Sequence, residues 1–316
     1  MIIGTLKEKK KFENRVAISP DEVKSYLKSG HQVLIEKGAG SLSGFTDKSY
    51  KEAGATITNS KEVLKTSEII IKINCPSPEE SKLISNKAMV VSQISTQNNQ
   101  ESIKILNSRK VSAFALELVP RITRAQDMDI LSSQANLAGY HAVIDAAQEF
   151  NRVLPLFMTA AGKVTPANVL VIGAGVAGLQ AIATAKRLGA IVYATDVRIA
   201  SKEQVESLGG KFLTVDGAEN LETEGGYAKE TSSDFKIKQE ELLKETLKKI
   251  DIVICTALIP GKKAPLIIKK DMIDVMQNGS VIYDLAALQG GNSEMTKVDE
   301  LVDYNGVKIF GDKNIL

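Results

Sequence analysis

The sequence contains few of the residues that build metal centres and disulfide frameworks. Cys75 and Cys255 are the only cysteines among 316 residues, they lie far apart, and neither belongs to a Cys-x-x-Cys pair. This usage is typical of a reducing compartment and argues against a disulfide framework or a zinc site. His31 and His141 are the only histidines, so a His-rich metal cluster is excluded and no bound metal is expected.

An excess of charge of one sign is also missing. The 40 basic and 38 acidic residues leave a net charge of +2, and the Lys7–Lys11 run is short and interrupted by Glu8. A nucleic-acid-binding stripe is therefore not expected. Residues 164–185 lack charge and are about long enough to cross a bilayer, but Pro166 and the glycines that follow favour a strand, a turn and a helix. Because the N-terminus also becomes charged too early for a signal peptide, we expect a soluble chain.

The alternation of strand-like and helix-like stretches predicts an α/β protein with two doubly wound parallel-sheet domains, residues 1–128 and 129–316. In the first domain, Ser19 as the N-cap and Pro20 at the first helical position predict the start of a helix. Strands are expected at residues 2–6, 32–36, 68–73, 88–94 and 111–116, with a further helix at 97–108.

The second domain is entered through the longest helical pattern, at about residues 127–150. Small residues along it, such as Ala135, Ala138 and Ala142, are suited to close packing. The apolar runs that follow are nearly continuous, which is typical of parallel strands covered on both faces. Strands are expected at residues 168–172, 191–195, 211–215, 251–256, 280–284 and 307–310, with a helix at 177–188.

Residues 216–239 interrupt this pattern with a polar stretch that includes the adjacent glycines Gly225 and Gly226. A segment of this length without clear structure inside a compact domain is usually a functional lid or a disordered excursion. Tyr227 stands beside the glycines as a potential anchor and favours the lid. We therefore expect a mobile loop at residues 216–239.

Gly173, Gly175 and Gly178 form the Gly-x-Gly-x-x-Gly pattern of a Rossmann domain. The first glycine permits a tight turn out of a strand, the second lets the backbone approach a pyrophosphate, and the third allows close helix–strand packing. The phosphates then meet the N–H groups and the dipole at a helix N-terminus. The pattern alone is weak, but here a strand precedes it, a helix follows it, and a second strand ends at Asp196. At that spacing a carboxylate accepts hydrogen bonds from the adenosine ribose.

Asp196 also predicts which dinucleotide binds. Its charge would repel the 2′-phosphate of NADP(H), so the expected cofactor is NAD(H), used for hydride transfer. Arg198 lies two residues further along and could soften that repulsion.

Longer matches point to a family. Residues 121–140 and 225–230 closely resemble the NAD(H)-binding component of proton-translocating NAD(P) transhydrogenases, and further matches at 14–20, 158–162, 194–198 and 256–262 extend the resemblance over essentially the whole chain. It implies that NADH passes a hydride directly to NADP held on a partner subunit. It also implies membrane-spanning partner chains that couple the transfer to proton translocation, a homodimer, and a place at the cytoplasmic face of the bacterial inner membrane. The family continues with a helical segment, so this sequence is expected to be shortened after Leu316.

The same resemblance implies roles for individual residues. Gln126 would position the two nicotinamide rings, and Arg121 and Asp129 would form a charge-assisted pair beside it, these three being the catalytic residues. The other implied cofactor-binding residues are Ser132 in the same loop, Val176, Asp196, Val197 and Arg198 at the adenosine half, Gly226, Tyr227 and Gln239 in the closing loop, and Leu258 in the pocket wall.

Alanine dehydrogenase shares the fold and is the main alternative. In that family a lysine binds substrate and a histidine moves a proton, whereas Asn74 and Ser95 stand at those positions here. Oxidising an amine requires such a group, but transfer between two nicotinamides moves no such proton. Arg15, which binds the substrate carboxylate in the dehydrogenases, persists and is expected to form a structural ion pair. A non-catalytic NAD-binding module is the other alternative.

Overall fold

The structure, a computed structural model, describes residues 1–11, 13–120, 122–215, 233–259 and 262–311, with the side chains of residues 233–236 excepted. It divides into two compact units, one formed by Met1–Leu131 and one that begins at Ser132. The predicted domain boundary, between residues 128 and 129, lies close to this division.

The first unit is built on a parallel sheet of six strands. The strands are β1 (Ile2–Thr5), β2 (Gln32–Glu36), β3 (Thr56–Thr58), β4 (Ile69–Asn74), β5 (Met89–Gln93) and β6 (Ser112–Ala115). They lie in the order β3-β2-β1-β4-β5-β6, so the chain starts in the middle, winds to one edge and then crosses to the other. This is the predicted doubly wound arrangement. The connecting helices are α1 (Pro20–Lys28), α2 (Asp47–Glu52), α3 (Ser60–Thr66), α4 (Pro78–Leu83) and α5 (Gln100–Ser108).

Helix α1 begins where the sequence predicts. Ser19 is the N-cap, Pro20 is the first helical residue, and Glu22 completes a capping box with Ser19. Each side chain of the box satisfies a backbone N–H that the first helical turn cannot pair.

Both faces of the first sheet carry an apolar core. Ile70 of β4 is buried in one cluster with Val63 and Val90, whereas its neighbours Ile69 and Ile71 pack against the cluster on the other face. Successive side chains of a strand point to opposite faces, which explains why this strand is apolar at every position from 69 to 71.

The second unit is built on a seven-stranded sheet. Helix α6 (Ile130–Glu149) leads into it. The strands of the sheet lie in the order β11-β10-β9-β12-β13-β15-β14, the Rossmann winding about a central β9. The strands are β7 (Phe157–Thr159), β8 (Gly162–Val164), β9 (Asn168–Ile172), β10 (Ile191–Thr195), β11 (Lys211–Phe212), β12 (Ile252–Cys255), β13 (Val281–Asp284), β14 (Leu301–Tyr304) and β15 (Val307–Gly311), and the helices are α7 (Val176–Arg187), α8 (Ser201–Ser207), α9 (Ser233–Leu247) and α10 (Lys270–Ile273).

The edge strand β14 departs from the predicted all-parallel arrangement. It pairs with β15 in an antiparallel hairpin, with Tyr304 opposite Val307. The two residues between them, Asn305 and Gly306, both have positive φ, at 51° and 77°. This is the pair of residues that a two-residue hairpin turn favours.

Three predicted ranges are wrong in their bounds. The helix predicted at 127–150 is preceded by a 3₁₀ segment, Thr123–Met128, and α6 itself starts at Ile130. The close packing of α6 falls on Gly139, Ala142, Val143 and Ala146, whereas Ala135 and Ala138 are only half-buried. The strand predicted at 211–215 covers only Lys211–Phe212.

The loop predicted at 216–239 is also wrong at its carboxyl end, because residues 233–239 belong to α9. That stretch consists largely of polar residues with good helix propensity, and the buried Leu243 and Leu247 anchor the helix one turn apart. Residues 216–232, which include Gly226 and Tyr227, lie outside the described residues.

A short hairpin was not anticipated. Strands β7 and β8 pair antiparallel with each other only, and all six of their residues are exposed. Phe157, Met158 and Val164 are among them, so the hairpin presents apolar side chains to solvent.

Candidate nucleotide-binding site

The glycine turn joins the end of β9 to the start of α7. Gly173 has φ +95°, in the left-handed region that favours glycine. A Cβ on Gly178 would lie 1.8 Å from the carbonyl oxygen of Gly173, so only glycine allows the helix to approach the strand this closely. Each of these two glycines therefore has the steric role that the motif assigns to it.

Gly175 has the opposite surroundings. It is the N-cap of α7, it provides no side-chain hydrogen bond to the first turn, and a Cβ built on it would meet no atom within 4 Å. The space in front of the helix N-terminus is therefore open beside Gly175 and Val176. Backbone N–H groups and the helix dipole favour an anion in such a place.

Thr256 connects the glycine turn to the neighbouring strand. Its Oγ1 donates to the carbonyl oxygen of Gly173 at 2.9 Å and lies 3.2 Å from that of Ile172. Thr256 directly follows β12, which is adjacent to β9 where the strand order reverses. Ligands of open α/β sheets bind at this crossover, outside the carboxyl ends of the strands.

Asp196 follows β10 and holds the other side of the turn. Its Oδ2 accepts from the backbone N–H of Ala174 at 2.7 Å, and its Oδ1 accepts from the backbone N–H of Arg198 at 2.8 Å. The guanidinium of Arg198 adds a bidentate pair, from Nε to Oδ1 at 2.9 Å and from Nη2 to Oδ2 at 2.8 Å. The Asp196 side chain is only 7% exposed. The half-buried Val197 lies between the paired residues.

Two residues that the sequence did not single out hold the loop after β12. The side chain of Asn292 accepts from the Ala257 N–H at 3.0 Å and donates to the Ala257 carbonyl at 2.9 Å and to that of Pro265 at 2.8 Å. Asp284, fully buried at the end of β13, accepts from the backbone N–H groups of Asn292 and Ser293. The network fixes the backbone directly before Leu258, a predicted pocket residue that is 41% exposed.

The predicted nicotinamide loop is only partly described. Arg121 lies outside the described residues. Gln126 is exposed on the 3₁₀ segment Thr123–Met128, and the backbone N–H of Asp129 donates to its carbonyl at 3.1 Å. The buried Ala125 anchors this turn. Gln126 and Asp129 belong to the first unit, whereas the glycine turn belongs to the second.

Ser132, in the first turn of α6, belongs to the second unit. Two helical turns further along the same face, Gly139 packs against the backbone of Ala177 in the first turn of α7, where a Cβ would lie 2.0 Å from the Ala177 carbonyl oxygen. Helix α6 therefore passes close to the start of α7, and Ser132 lies on the face that makes this contact. Gln239 is half-buried on α9.

The positions that would carry alanine dehydrogenase chemistry are occupied differently. The side-chain amide of Asn74 donates to Glu13 at 3.1 Å and lies 3.3 Å from Glu8. Arg15 forms the expected ion pair, in which Nε and Nη2 each lie 2.7 Å from a carboxylate oxygen of Glu13. Ser95 sits at φ +48° in a turn, where its backbone N–H donates to Glu117 at 2.7 Å.

The same cluster perturbs its carboxyl groups. Burial raises the pKa of Glu8 above its ordinary value, although Lys72 lies nearby. Burial acts in the same direction on Glu13, but hydrogen bonds from Arg15 and Asn74 outweigh it and leave the pKa of Glu13 below its ordinary value. These groups are held by one another, which is the behaviour of a structural cluster.

Neither cysteine is poised as a nucleophile. Burial raises the pKa of the Cys75 thiol to about 11 and that of Cys255 well above its ordinary value, and the thiolate is the reactive form. Within the described ranges, no group of three or more His, Cys, Asp and Glu side chains could hold a metal ion. Among the helices of the same ranges, none combines the length and apolar character that a membrane crossing needs.

Comparison with known proteins agrees with this geometry. The family described as "Alanine dehydrogenase/PNT, N-terminal domain" matches residues 4–138, and "Alanine dehydrogenase/PNT, C-terminal domain" matches residues 142–316. The chain belongs to the alanine dehydrogenase/PNT family. The predicted family and the predicted α/β fold class are both confirmed.

Individual members of the alanine dehydrogenase/PNT family separate its two branches. The chain is 50% identical to the first portion of the NAD(P) transhydrogenase alpha subunit of Rhodospirillum rubrum, over 100% of this chain and 84% of that protein. A crystal structure of transhydrogenase from Sinorhizobium meliloti matches with a TM-score of 0.89 and 45% identity, covering 100% of this chain and 87% of that one. A structure of L-alanine dehydrogenase matches with a TM-score of 0.83 but 26% identity, covering 99% and 83%. The chain is thus an oxidoreductase of the transhydrogenase branch.

Proposed function

We propose that this chain is the NAD(H)-binding component of a proton-translocating NAD(P) transhydrogenase, which passes a hydride between NADH and NADP held on a partner subunit. The observation that carries the proposal is the glycine turn of the second unit. It combines open space at Gly175 with Thr256 and Asp196 on its two sides, in a chain 50% identical to a transhydrogenase subunit.

In this proposal the turn binds the pyrophosphate of NAD(H). The N–H groups at the start of α7 would face the phosphates, and the Thr256–Leu258 segment, fixed by Asn292, would line the pocket beside them. Asp196, Val197 and Arg198 would form the adenosine side. NAD(H) is preferred over NADP(H) because the carboxylate of Asp196 belongs to the turn itself.

Gln126, Arg121 and Asp129 are proposed to orient the nicotinamide rings. Hydride transfer between two nicotinamides requires no acid or base, so what a protein contributes is the alignment of the two reacting carbons. Asn74 and Ser95 fit this requirement. Asn74 is occupied by two buried carboxylates, and Ser95 supplies a backbone N–H to Glu117.

The partners are proposed to be an NADP-binding subunit and membrane-spanning subunits that couple the transfer to proton translocation. They would hold this chain at the cytoplasmic face of the bacterial inner membrane. A homodimer is also proposed, and the isolated β7–β8 hairpin supports it. An exposed two-stranded hairpin with apolar side chains gains stability when its open edge pairs with another strand.

Two alternatives can be separated from this proposal by assays of NADH oxidation. The proposed function predicts no oxidation with pyruvate and ammonia, and oxidation when an NADP-loaded transhydrogenase partner is added. Oxidation with pyruvate and ammonia would instead support an amino-acid dehydrogenase, whose relatives share this fold. Tight NADH binding with no transfer to any partner would support a non-catalytic module.

A further inference from the structure

The side chain suited to recognise a 2′-phosphate is present at the site, but it is already paired. Arg198 makes three hydrogen bonds to Asp196, one from its backbone N–H and two from its guanidinium. Its side chain is 19% exposed and that of Asp196 is 7% exposed. A bidentate pair that is this well shielded from solvent is stronger than a surface ion pair.

The pairing changes the charge that a dinucleotide meets. NADPH differs from NADH by a phosphate on the adenosine ribose, and a guanidinium is well matched to phosphate in charge and geometry. The guanidinium of Arg198 could bind that phosphate only by giving up its bonds to Asp196, which would leave a nearly buried carboxylate without its cation. The gain from one interaction would therefore be offset by the loss of the other.

We propose that Arg198 determines the preference for NADH over NADPH, and that Asp196 sets this preference by holding Arg198 in the bidentate pair. The inference rests on the proposed function, in which this turn takes NAD(H). It differs from simple repulsion between Asp196 and the phosphate. Repulsion predicts that removing the carboxylate charge improves NADPH binding whether or not Arg198 is present. The pair predicts that the improvement requires Arg198.

The test compares the unmodified chain with Asp196→Asn, Arg198→Ala and the double variant. Dissociation constants for NADH and NADPH are measured by calorimetry, together with those for AMP and adenosine 2′,5′-bisphosphate. We expect Asp196→Asn to bind NADPH about ten- to hundredfold more tightly than the unmodified chain. We expect the double variant to lose that gain. A double variant that keeps the gain would overturn the proposal in favour of repulsion.

Two controls separate this outcome from damage to the turn. Asparagine keeps an oxygen that can accept from the Ala174 N–H, so AMP should bind Asp196→Asn with nearly unchanged affinity. If AMP binding is lost, the comparison is repeated with Asp196→Ser in place of Asp196→Asn. The gain in bisphosphate over AMP should also weaken as salt is added, because it comes from a charge pair. An unmodified chain that binds neither NADH nor AMP would refute the proposed function, whereas normal NADH binding with a gain independent of Arg198 would refute only this inference.

Discussion

The side-chain amide of Asn292 pairs with the backbone of Ala257 on both sides, accepting from its N–H at 3.0 Å and donating to its carbonyl oxygen at 2.9 Å. Asn292 is fully buried, and Ala257 is the second residue after β12. The loop that borders the glycine turn is thus held by a side chain from the far side of β13. The order of this loop depends on one amide group.

Asn292→Asp tests that dependence. The substitution keeps the shape but places a buried carboxylate against the carbonyl oxygens of Ala257 and Pro265, which lose their donor. We expect a loss of about 3 kcal/mol in the free energy of unfolding and a weaker affinity for NADH, measured by urea unfolding and calorimetry. Asn278→Asp, at an exposed turn of the same unit, is the control and should change neither. Equal behaviour of the two variants would contradict the role given to Asn292.

The last two glycines of the motif allow a sharper contrast between folding and binding. Gly178→Ala would place a Cβ 1.8 Å from the Gly173 carbonyl oxygen, so we expect a loss of stability of about 3 kcal/mol. Gly175→Ala adds its methyl group to open space and should cost less than about 1 kcal/mol. That methyl group would occupy the space proposed for the pyrophosphate, so NADH affinity should fall at least about tenfold. Thermal unfolding and calorimetry on both variants measure this. A Gly175→Ala variant with normal NADH affinity would place the phosphates elsewhere.

The buried cluster of the first unit should make its stability depend on pH. The pKa of Glu13 is lower in the folded state than its ordinary value of 4.5. Its contribution to stability is therefore present above about pH 4.5 and is lost as the pH falls through the lower, folded-state pKa. Glu13→Gln leaves the Arg15 guanidinium without its carboxylate and should cost about 3 kcal/mol at pH 7.

The difference between Glu13→Gln and the unmodified chain should shrink as the solution is acidified below about pH 4.5, which urea unfolding at several pH values would measure. The same substitution at Glu52, an exposed residue 3.8 Å from Lys48, should cost less than about 0.5 kcal/mol at every pH. A cost for Glu13→Gln that does not vary with pH would mean that the carboxylate charge is not what stabilises the cluster.

Much of the fold could be predicted because its strands are apolar runs bounded by turn residues. The bounds of β2, β9 and β10 agree with the prediction at both ends. The β14–β15 hairpin was missed although its Asn305-Gly306 turn is a strong local signal, because the nearly continuous apolar runs around it favoured parallel strands. Helix α9 was missed because its first residues are polar, and polarity was taken to indicate a loop.

The glycine motif and Asp196 could be located from sequence because their spacing is local. Asn292 could not, since its partner Ala257 is 35 residues away and the two meet only when β12 and β13 are adjacent. The tight pairing of Arg198 with Asp196 also depends on side-chain geometry that a sequence pattern does not contain.

Gln126 is the residue whose replacement should affect transfer more than binding. Gln126→Asn shortens the amide by one methylene, and the proposed role in ring alignment predicts hydride transfer slowed about ten- to hundredfold in the reconstituted complex. NADH affinity should stay nearly unchanged, the pattern of an interaction used for orientation. Gln148→Asn, at an exposed position of α6, should leave both quantities unchanged. Transfer at the unmodified rate in Gln126→Asn would contradict this role.

The most direct measurement follows a deuterium atom. NADH labelled at the transferable position of its nicotinamide is bound to this chain and mixed with an NADP-loaded transhydrogenase partner subunit in a single turnover. The account predicts that the label appears in NADPH without exchange, because the hydride passes directly between two rings held about 3–3.5 Å apart. Loss of the deuterium to water, or oxidation of NADH by pyruvate and ammonia without the partner, would contradict it.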